Sequence, residues 1–92
     1  MSGTKTVAVV ISGRVQGVSY RAWTEREARA RGLSGHVLNC EDGTVEAMFS
    51  GPEAAVDAML AACRQGPPGA RVDDVVATAP AEAPPSGFRI LS

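Results

Sequence analysis

Three things are scarce in this sequence: aromatic residues at 4% of 92 positions, histidine with one copy, and net charge, which is -1 at pH 7. Without interleaved aromatics the strands offer no stacking platform for RNA bases. Without a basic excess the chain lacks the phosphate-neutralising face on which nucleic-acid affinity rests, so no nucleic-acid partner is expected. The single histidine, His36, has no second ligand type at a recognised metal spacing and reads as a strand residue with a polar tip. Cys40 and Cys63 fall in different elements with no Cys-x-x-Cys spacing, which favours reduced thiols over a disulfide and makes a metal site unexpected. Long apolar runs are missing too, none approaching the roughly 20 residues of a membrane span. The polar lead Met1 to Thr6 is not followed by the apolar core of a signal peptide. The expectation is a cytoplasmic monomer without a membrane partner.

What is present supports one domain over residues 1–92, with residues 1–5 as a flexible lead. Apolar residues reach 45%, mostly Ala and Val, so the core should be closely packed small side chains rather than a large oily cavity.

Val7 to Ser12 is a nearly continuous β-branched run that reads as a central strand, ended by Gly13. After a loop, Ser19 is a candidate N-cap for a helix from Tyr20 to Arg31, with Gly32 as its C′ residue. Tyr20, Trp23, Ala28 and Leu33 are the expected inward positions, and Glu25, Arg26, Glu27, Arg29 and Arg31 form a solvated face with i,i+4 ion pairs. Leu33 to Glu41 and Thr44 to Ser50 read as two strands joined by Asp42-Gly43, a hairpin signal. A two-residue turn there sets Glu41 opposite Thr44, Cys40 opposite Val45 and Asn39 opposite Glu46. Ser50-Gly51-Pro52-Glu53 opens a second helix, with a possible Ser/Glu capping box and an apolar stripe of Val56, Met59, Leu60 and Cys63. Gly66-Pro67-Pro68-Gly69 stops it, Arg71 to Thr78 is a further strand, and Phe88 to Leu91 a short last one.

The order β, α, β, β, α, β with a short extra C-terminal strand is the split βαβ pattern of an α+β, ferredoxin-like sandwich. It puts two helices on one face of a mostly antiparallel sheet. Right-handed crossovers make the first two strands parallel with the third between them, so their C-terminal ends share one sheet edge, about 10 Å apart. The loop after the first strand and Asn39 then lie close together.

That loop, Gly13-Arg14-Val15-Gln16-Gly17-Val18-Ser19-Tyr20-Arg21, contains no acid. Arg21 sits at the start of a helix, where free N–H groups and the macrodipole disfavour a cation. An anion at the same spot resolves the conflict: the guanidinium grips phosphate oxygens and the N–H groups of residues 16 to 20 complete a nest. A surface arginine paired with Glu25 explains Arg21 equally well on local grounds. Asn39, a residue disfavoured in strands, either shares the site by handling a water or simply bonds near the hairpin turn. On these residues alone both readings stand.

The loop resembles the signature of acylphosphatases, Gly-x-Val-Gln-Gly-Val-x-Phe/Tyr-Arg, and Gly35-His36-Val37-Leu38-Asn39 with Asp42-Gly43-Thr44-Val45-Glu46 resembles their second motif. The similarity runs from Val7 to Leu91. Two positions depart from the pattern: His36 stands where a large aromatic is common, and Arg31 where an apolar residue often closes the helix. The resemblance implies cofactor-free hydrolysis of the carboxyl-phosphate bond of acyl phosphates, yielding carboxylate and inorganic phosphate. Arg21 would bind the phosphate with the loop Val15, Gln16, Gly17, Val18, Ser19 and Tyr20, and Asn39 would position the attacking water. The chemistry is consistent, because a carboxylate leaving group with a conjugate acid of pKa about 4 needs no general acid. A non-catalytic anion-sensing module would explain the nest but not its pairing with Asn39.

Overall fold

The computed structural model describes residues 3–80 and 82–92. Strand β1 (Thr4–Arg14) begins earlier than the β-branched run suggested. Of the lead expected over residues 1–5, Met1 and Ser2 lie outside the described residues, whereas Thr4 and Lys5 already pair with Pro52 and Gly51. Lys5 Nζ also meets Asp57 Oδ1 at 2.8 Å, tying the strand's first turn of chain to the second helix.

The remaining elements follow the expected order: α1 (Tyr20–Ala30), β2 (Ser34–Asn39), β3 (Val45–Pro52), α2 (Glu53–Gln65), β4 (Arg71–Thr78) and β5 (Phe88–Ile90). The sheet order is β4-β1-β3-β2-β5, so β1 is an interior strand with neighbours on both sides, and β3 lies antiparallel between it and β2 at the centre of the sheet. β5 pairs parallel with β2 on the outer edge, and the pairing continues past it, because Asn39 N–H donates to Ser92 O at 3.1 Å. Arg29 Nη2 donates to Phe88 O at 3.0 Å, pinning the start of this short strand to α1. The fold is thus the α+β, ferredoxin-like sandwich the sequence pattern indicates, with one parallel pair at the edge.

Both helices cover one face. Val7, Val9 and Ile11 of β1, Val45, Ala47 and Phe49 of β3 and Val37 of β2 alternate inward and meet Ala28 of α1 and Val56, Met59 and Cys63 of α2. Each fully buried Val, Ile, Met or Phe contributes roughly 1.5–3 kcal/mol relative to exposure. Thr24 is buried as well, which the apolar pattern of α1 did not reveal; its hydroxyl donates to Tyr20 O at 2.8 Å and so is satisfied within the helix. The outer face of α1 carries the expected pairs, Glu25 with Arg29 at 3.3 Å and Glu27 with Arg31 at 2.6 Å. Arg31 therefore closes α1 by an ion pair where an apolar contact was the common choice. His36 lies in β2, half-buried beside Met48 and Arg89. Cys40 and Cys63 are free thiols. No helix among the described residues is long and apolar enough to cross a membrane.

Three local expectations are corrected. The β2–β3 hairpin is one residue out of the two-residue register: Asn39 faces Val45, and Leu38 faces Glu46. Cys40 N–H donates to Thr44 O at 2.9 Å, which leaves Glu41, Asp42 and Gly43 as a three-residue loop. Asp42 Oδ1 accepts from Thr44 N–H at 3.0 Å and from its hydroxyl at 2.6 Å, and Gly43 takes φ 92° as the left-handed residue such a loop requires. Next, no capping box forms on α2: Ser50 still pairs with Thr6 in the sheet, their hydroxyls 2.8 Å apart, and Pro52 occupies the N-cap. Last, Ser19 holds the N-cap position of α1 without a side-chain cap, because its backbone is left-handed, φ 64° and ψ 26°.

Candidate active site

β1 has to leave the sheet sharply to place the loop over the edge, and the exit is built around Gly13. The β1–β4 register shifts between Ser12 and Gly13, a bulge that re-aims the strand end. Gly13 has φ 124°, and a Cβ there would lie 2.2 Å from Arg71 O. Only glycine fits this close approach.

Beyond the bulge, Val15 is sunk in the core, 1% exposed, while Gly17 (φ 75°) and Ser19 (φ 64°) both take left-handed backbone. Ser19 is the sole non-glycine residue with positive φ among the described residues, a conformation that costs on the order of 1–3 kcal/mol. Alternating left-handed residues turn successive N–H groups toward one concavity. Among the described residues, no backbone carbonyl accepts from the N–H groups of Gln16, Gly17, Val18 or Ser19. The α1 dipole adds to the same positive potential, since the first turn of the helix holds no acid.

The loop, α1 and the ends of β2 and β5 enclose a cleft of about 470 Å³ lined by Val15, Gln16, Gly17, Ser19, Tyr20, Arg21, Ala22, Asn39 and Ile90. Arg21 and Asn39 therefore share one cavity with the loop. Val18 does not line it; its side chain packs against the core, leaving only its backbone for the site. Tyr20 also lines it, and its hydroxyl turns into the core and donates to Cys63 O at 2.7 Å, locking α1 to α2. Burial pushes the Tyr20 phenol well above its ordinary range. Arg21 makes no ion pair with Glu25 or any other acid among the described residues, and Glu25 is instead engaged by Arg29.

Asn39 reaches the cleft because of the corrected register. Opposite Val45 it shares the helix-side face with Val37, whereas a partner of Glu46 would face the other way. Its Oδ1 is buried and accepts from no group among the described residues. Such an atom costs about 1–3 kcal/mol unless a ligand or solvent satisfies it.

One role went unread in the sequence. The Gln16 side chain does not simply follow its backbone into the loop: Nε2 donates to Cys40 O at 2.8 Å and to Thr44 O at 2.9 Å. The loop is thus bolted to the hairpin that carries Asn39. Only a three-residue hairpin loop, which holds those two carbonyls side by side at its base, made this visible. Ile90 and Ala22, also on the cleft wall, carried no polar signal that could have marked them. Among the described residues, no three His, Cys, Asp or Glu side chains come together as metal ligands.

The family model "Acylphosphatase" matches residues 7–90. An acylphosphatase of Rhodospirillum rubrum is 61% identical over 84 residues, 91% of this chain and 92% of that protein. The crystal structure of acylphosphatase from Bacillus subtilis superimposes with a TM-score of 0.90 at 33% identity, covering 98% of this chain and all of that one at 100%. An acylphosphatase from Coxiella burnetii gives a TM-score of 0.91 at 30% identity over 96% of this chain and 93% of its own. With the loop and every cleft-lining residue inside the matched stretch, the chain belongs to the acylphosphatase family, hydrolases that act on acyl phosphates.

Proposed function

We propose that the chain hydrolyses the carboxyl-phosphate bond of acyl phosphates by direct in-line attack of water, with Arg21 and the loop N–H groups holding the phosphate and Asn39 positioning the water. The observation that carries this reading is the composition of one cleft, in which the described residues leave a guanidinium without an acid, a run of N–H groups without a carbonyl and a buried amide oxygen without a donor. Each matches a need of the reaction.

The phosphate binds first through the N–H groups of residues 16 to 20, with Arg21 as a bidentate charged partner. Asn39 Oδ1 accepts a hydrogen bond from the nucleophilic water and so aims its lone pair at phosphorus, opposite the leaving carboxylate. The new P–O bond forms as the bridging P–O bond breaks, and the electron pair of that bond leaves with the carboxylate. The water's protons pass to a phosphate oxygen and then to solvent. Because the carboxylate leaves unprotonated, no acid is needed, in keeping with a cleft whose one titratable charged side chain is Arg21. The loop and Arg21 stabilise the charge that spreads over the equatorial oxygens, the term expected to supply most of the acceleration. Ser19 is poorly suited as a nucleophile, since no base lines the cleft to activate it.

The test is release of carboxylate and inorganic phosphate from a purified model acyl phosphate such as benzoyl phosphate. Wild type should turn over, and Arg21→Ala should lose at least a hundredfold in kcat/KM. Arg21→Lys should weaken competitive inhibition by inorganic phosphate about tenfold, because a point charge does not replace the guanidinium fork. Unchanged inhibition in Arg21→Lys would remove Arg21 from the phosphate site.

A further inference from the structure

A cleft of about 470 Å³ falls in the size range that accommodates a small organic ligand and offers more space than a phosphate group fills. Its lining divides by chemistry. Gln16, Gly17, Ser19, Arg21 and Asn39 supply the polar side, and Val15, Tyr20, Ala22 and Ile90 the apolar side. Val15 and Tyr20 are both 1% exposed and committed to the core, whereas Ile90 is 39% exposed.

Isolated surface hydrophobics need no explanation. Ile90 differs in where it stands. In β5 it lies on the same face as Phe88, which is 2% exposed under α1, stacked on Phe49 with ring centroids 5.7 Å apart. β5 runs parallel to β2, so its chain passes from the C-terminal half of α1, where Arg29 holds Phe88 O, toward the start of the helix at Tyr20. Ile90 comes to rest where α1 no longer covers the sheet. Its partner in register is Val37, two residues before Asn39 on β2. The isoleucine therefore stands beside the water-positioning amide, across the cleft from the anion loop.

We infer that Ile90 is a specificity-determining residue: it forms, with Ala22, the contact surface for the acyl half of the substrate and selects acyl phosphates with neutral, apolar acyl groups. This rests on the reading that the loop holds the phosphate. With the phosphate in the nest, the carbonyl carbon and its substituent must extend away from the N–H groups, and Ile90 is the large apolar side chain left open on that side. Charge completes the selection. Arg21 is the one charged residue in the lining, and the phosphate dianion consumes it. An acyl group bearing a carboxylate finds no counter-charge in the cleft and loses hydration against isoleucine. An apolar acyl group loses water there favourably.

The experiment compares kcat/KM for benzoyl phosphate, acetyl phosphate and the monophosphate of succinic acid, together with the inhibition constant of inorganic phosphate, in wild type, Ile90→Ala, Ile90→Thr and Ile90→Leu. Wild type should prefer benzoyl over succinyl phosphate by at least tenfold. Ile90→Ala and Ile90→Thr should each lower kcat/KM for benzoyl phosphate roughly fivefold, mainly through KM, an effect at the low end for methylene-scale pocket changes because the side chain is part-exposed. Acetyl phosphate, with far less apolar surface to bury, should change less than twofold, inhibition by phosphate should hold, and Ile90→Leu should restore the benzoyl preference. Ile90→Thr keeps the β-branch that suits a strand, so both replacements failing through misfolding is guarded against by the exposed position and by phosphate inhibition as a check on the loop. A benzoyl-to-acetyl ratio that is the same in Ile90→Ala, Ile90→Thr and wild type overturns the inference. Absence of turnover of all three compounds by wild type instead overturns the reading of the cleft as a hydrolase site.

Discussion

Gln16 Nε2 lies 2.8 Å from Cys40 O and 2.9 Å from Thr44 O, so one side-chain amide spans the two carbonyls that close the base of the β2–β3 hairpin. The anion loop and the strand bearing Asn39 are thereby held at fixed separation by a residue that contributes its backbone to the nest. On the proposed mechanism, in-line attack is sensitive to the distance between phosphate and water, and this is the contact expected to set it.

Gln16→Ala should lower kcat by roughly 10- to 100-fold while leaving the inhibition constant of phosphate within about threefold, since the N–H groups of the loop survive the change. Two lost hydrogen bonds to part-buried carbonyls should also cost about 1–3 kcal/mol in urea denaturation. Gln16→Glu should be at least as damaging, because a carboxylate cannot donate to either carbonyl. A Gln16→Ala variant with wild-type kcat and lowered stability would show the contact to be structural alone.

Asn39→Ala removes the unpartnered oxygen from the cleft and, on the proposed mechanism, should reduce kcat by 10²- to 10³-fold on the order of other lost site hydrogen bonds. Folding should be unharmed or slightly improved, since a buried acceptor without a protein partner is a cost to the native state. Steady-state kinetics alongside a thermal melt separates the two effects, and an active, stable Asn39→Ala protein would remove Asn39 from the chemistry.

Gly13→Ala tests the bulge that launches the loop. The added Cβ would meet Arg71 O at 2.2 Å on a backbone of φ 124°, so β1 and β4 must part at that point. The expected loss is roughly 2–4 kcal/mol, a drop in melting temperature on the order of 10–25 °C for a domain of this size. Gly17→Ala, with no neighbour within 4 Å of a Cβ, should cost only its left-handed backbone, about 1 kcal/mol, while tightening the geometry required of the nest.

Alkaline pH should destabilise the fold through the α1–α2 contact. Burial raises the Cys63 thiol from 9.0 to about 11, against smaller opposing effects of the Tyr20 hydrogen bond and of Arg31 and Arg64. Burial raises the Tyr20 phenol from 10.0 as well. Both groups stay neutral longer in the folded than in the unfolded chain; the thiol's contribution is full below pH 9 and is lost as pH rises through about 11, while the phenol's begins to fall only above its ordinary value. For the thiol the loss amounts to roughly 2–3 kcal/mol. Urea midpoints at pH 8, 9.5 and 11 should fall more steeply in wild type than in Cys63→Ala, and parallel curves would show that the thiol is not the group responsible.

Much of this architecture is legible locally. The α2 stripe of Val56, Met59 and Cys63, the ion-paired face of α1 and the β-branched centre of β1 follow from side-chain periods of 3.6 and 2, which any window of sequence displays. The hairpin was readable, but its register was not: Asp42-Gly43 fits a two-residue turn as well as a three-residue one, and the choice went to the form in which Asp42 Oδ1 captures two Thr44 donors. The final strand could be recognised without its partner, since three residues do not say which edge they extend.

The sequence by itself determined the chemical character of the site. Glycines at 13 and 17, the absence of acid from the loop and an arginine at the second position of α1 are properties of nine consecutive residues, and they are the features on which the proposed anion nest rests. Tertiary structure decided what the nest works with. Asn39 reaches the cleft because one residue of register turned it toward the helices, Gln16 finds acceptors 24 and 28 residues away, and Ile90 enters the wall because β5 chose the β2 edge. Such partners are set by how strands pack across the sheet, a balance of burial and hydrogen bonding that no local stretch of chain contains.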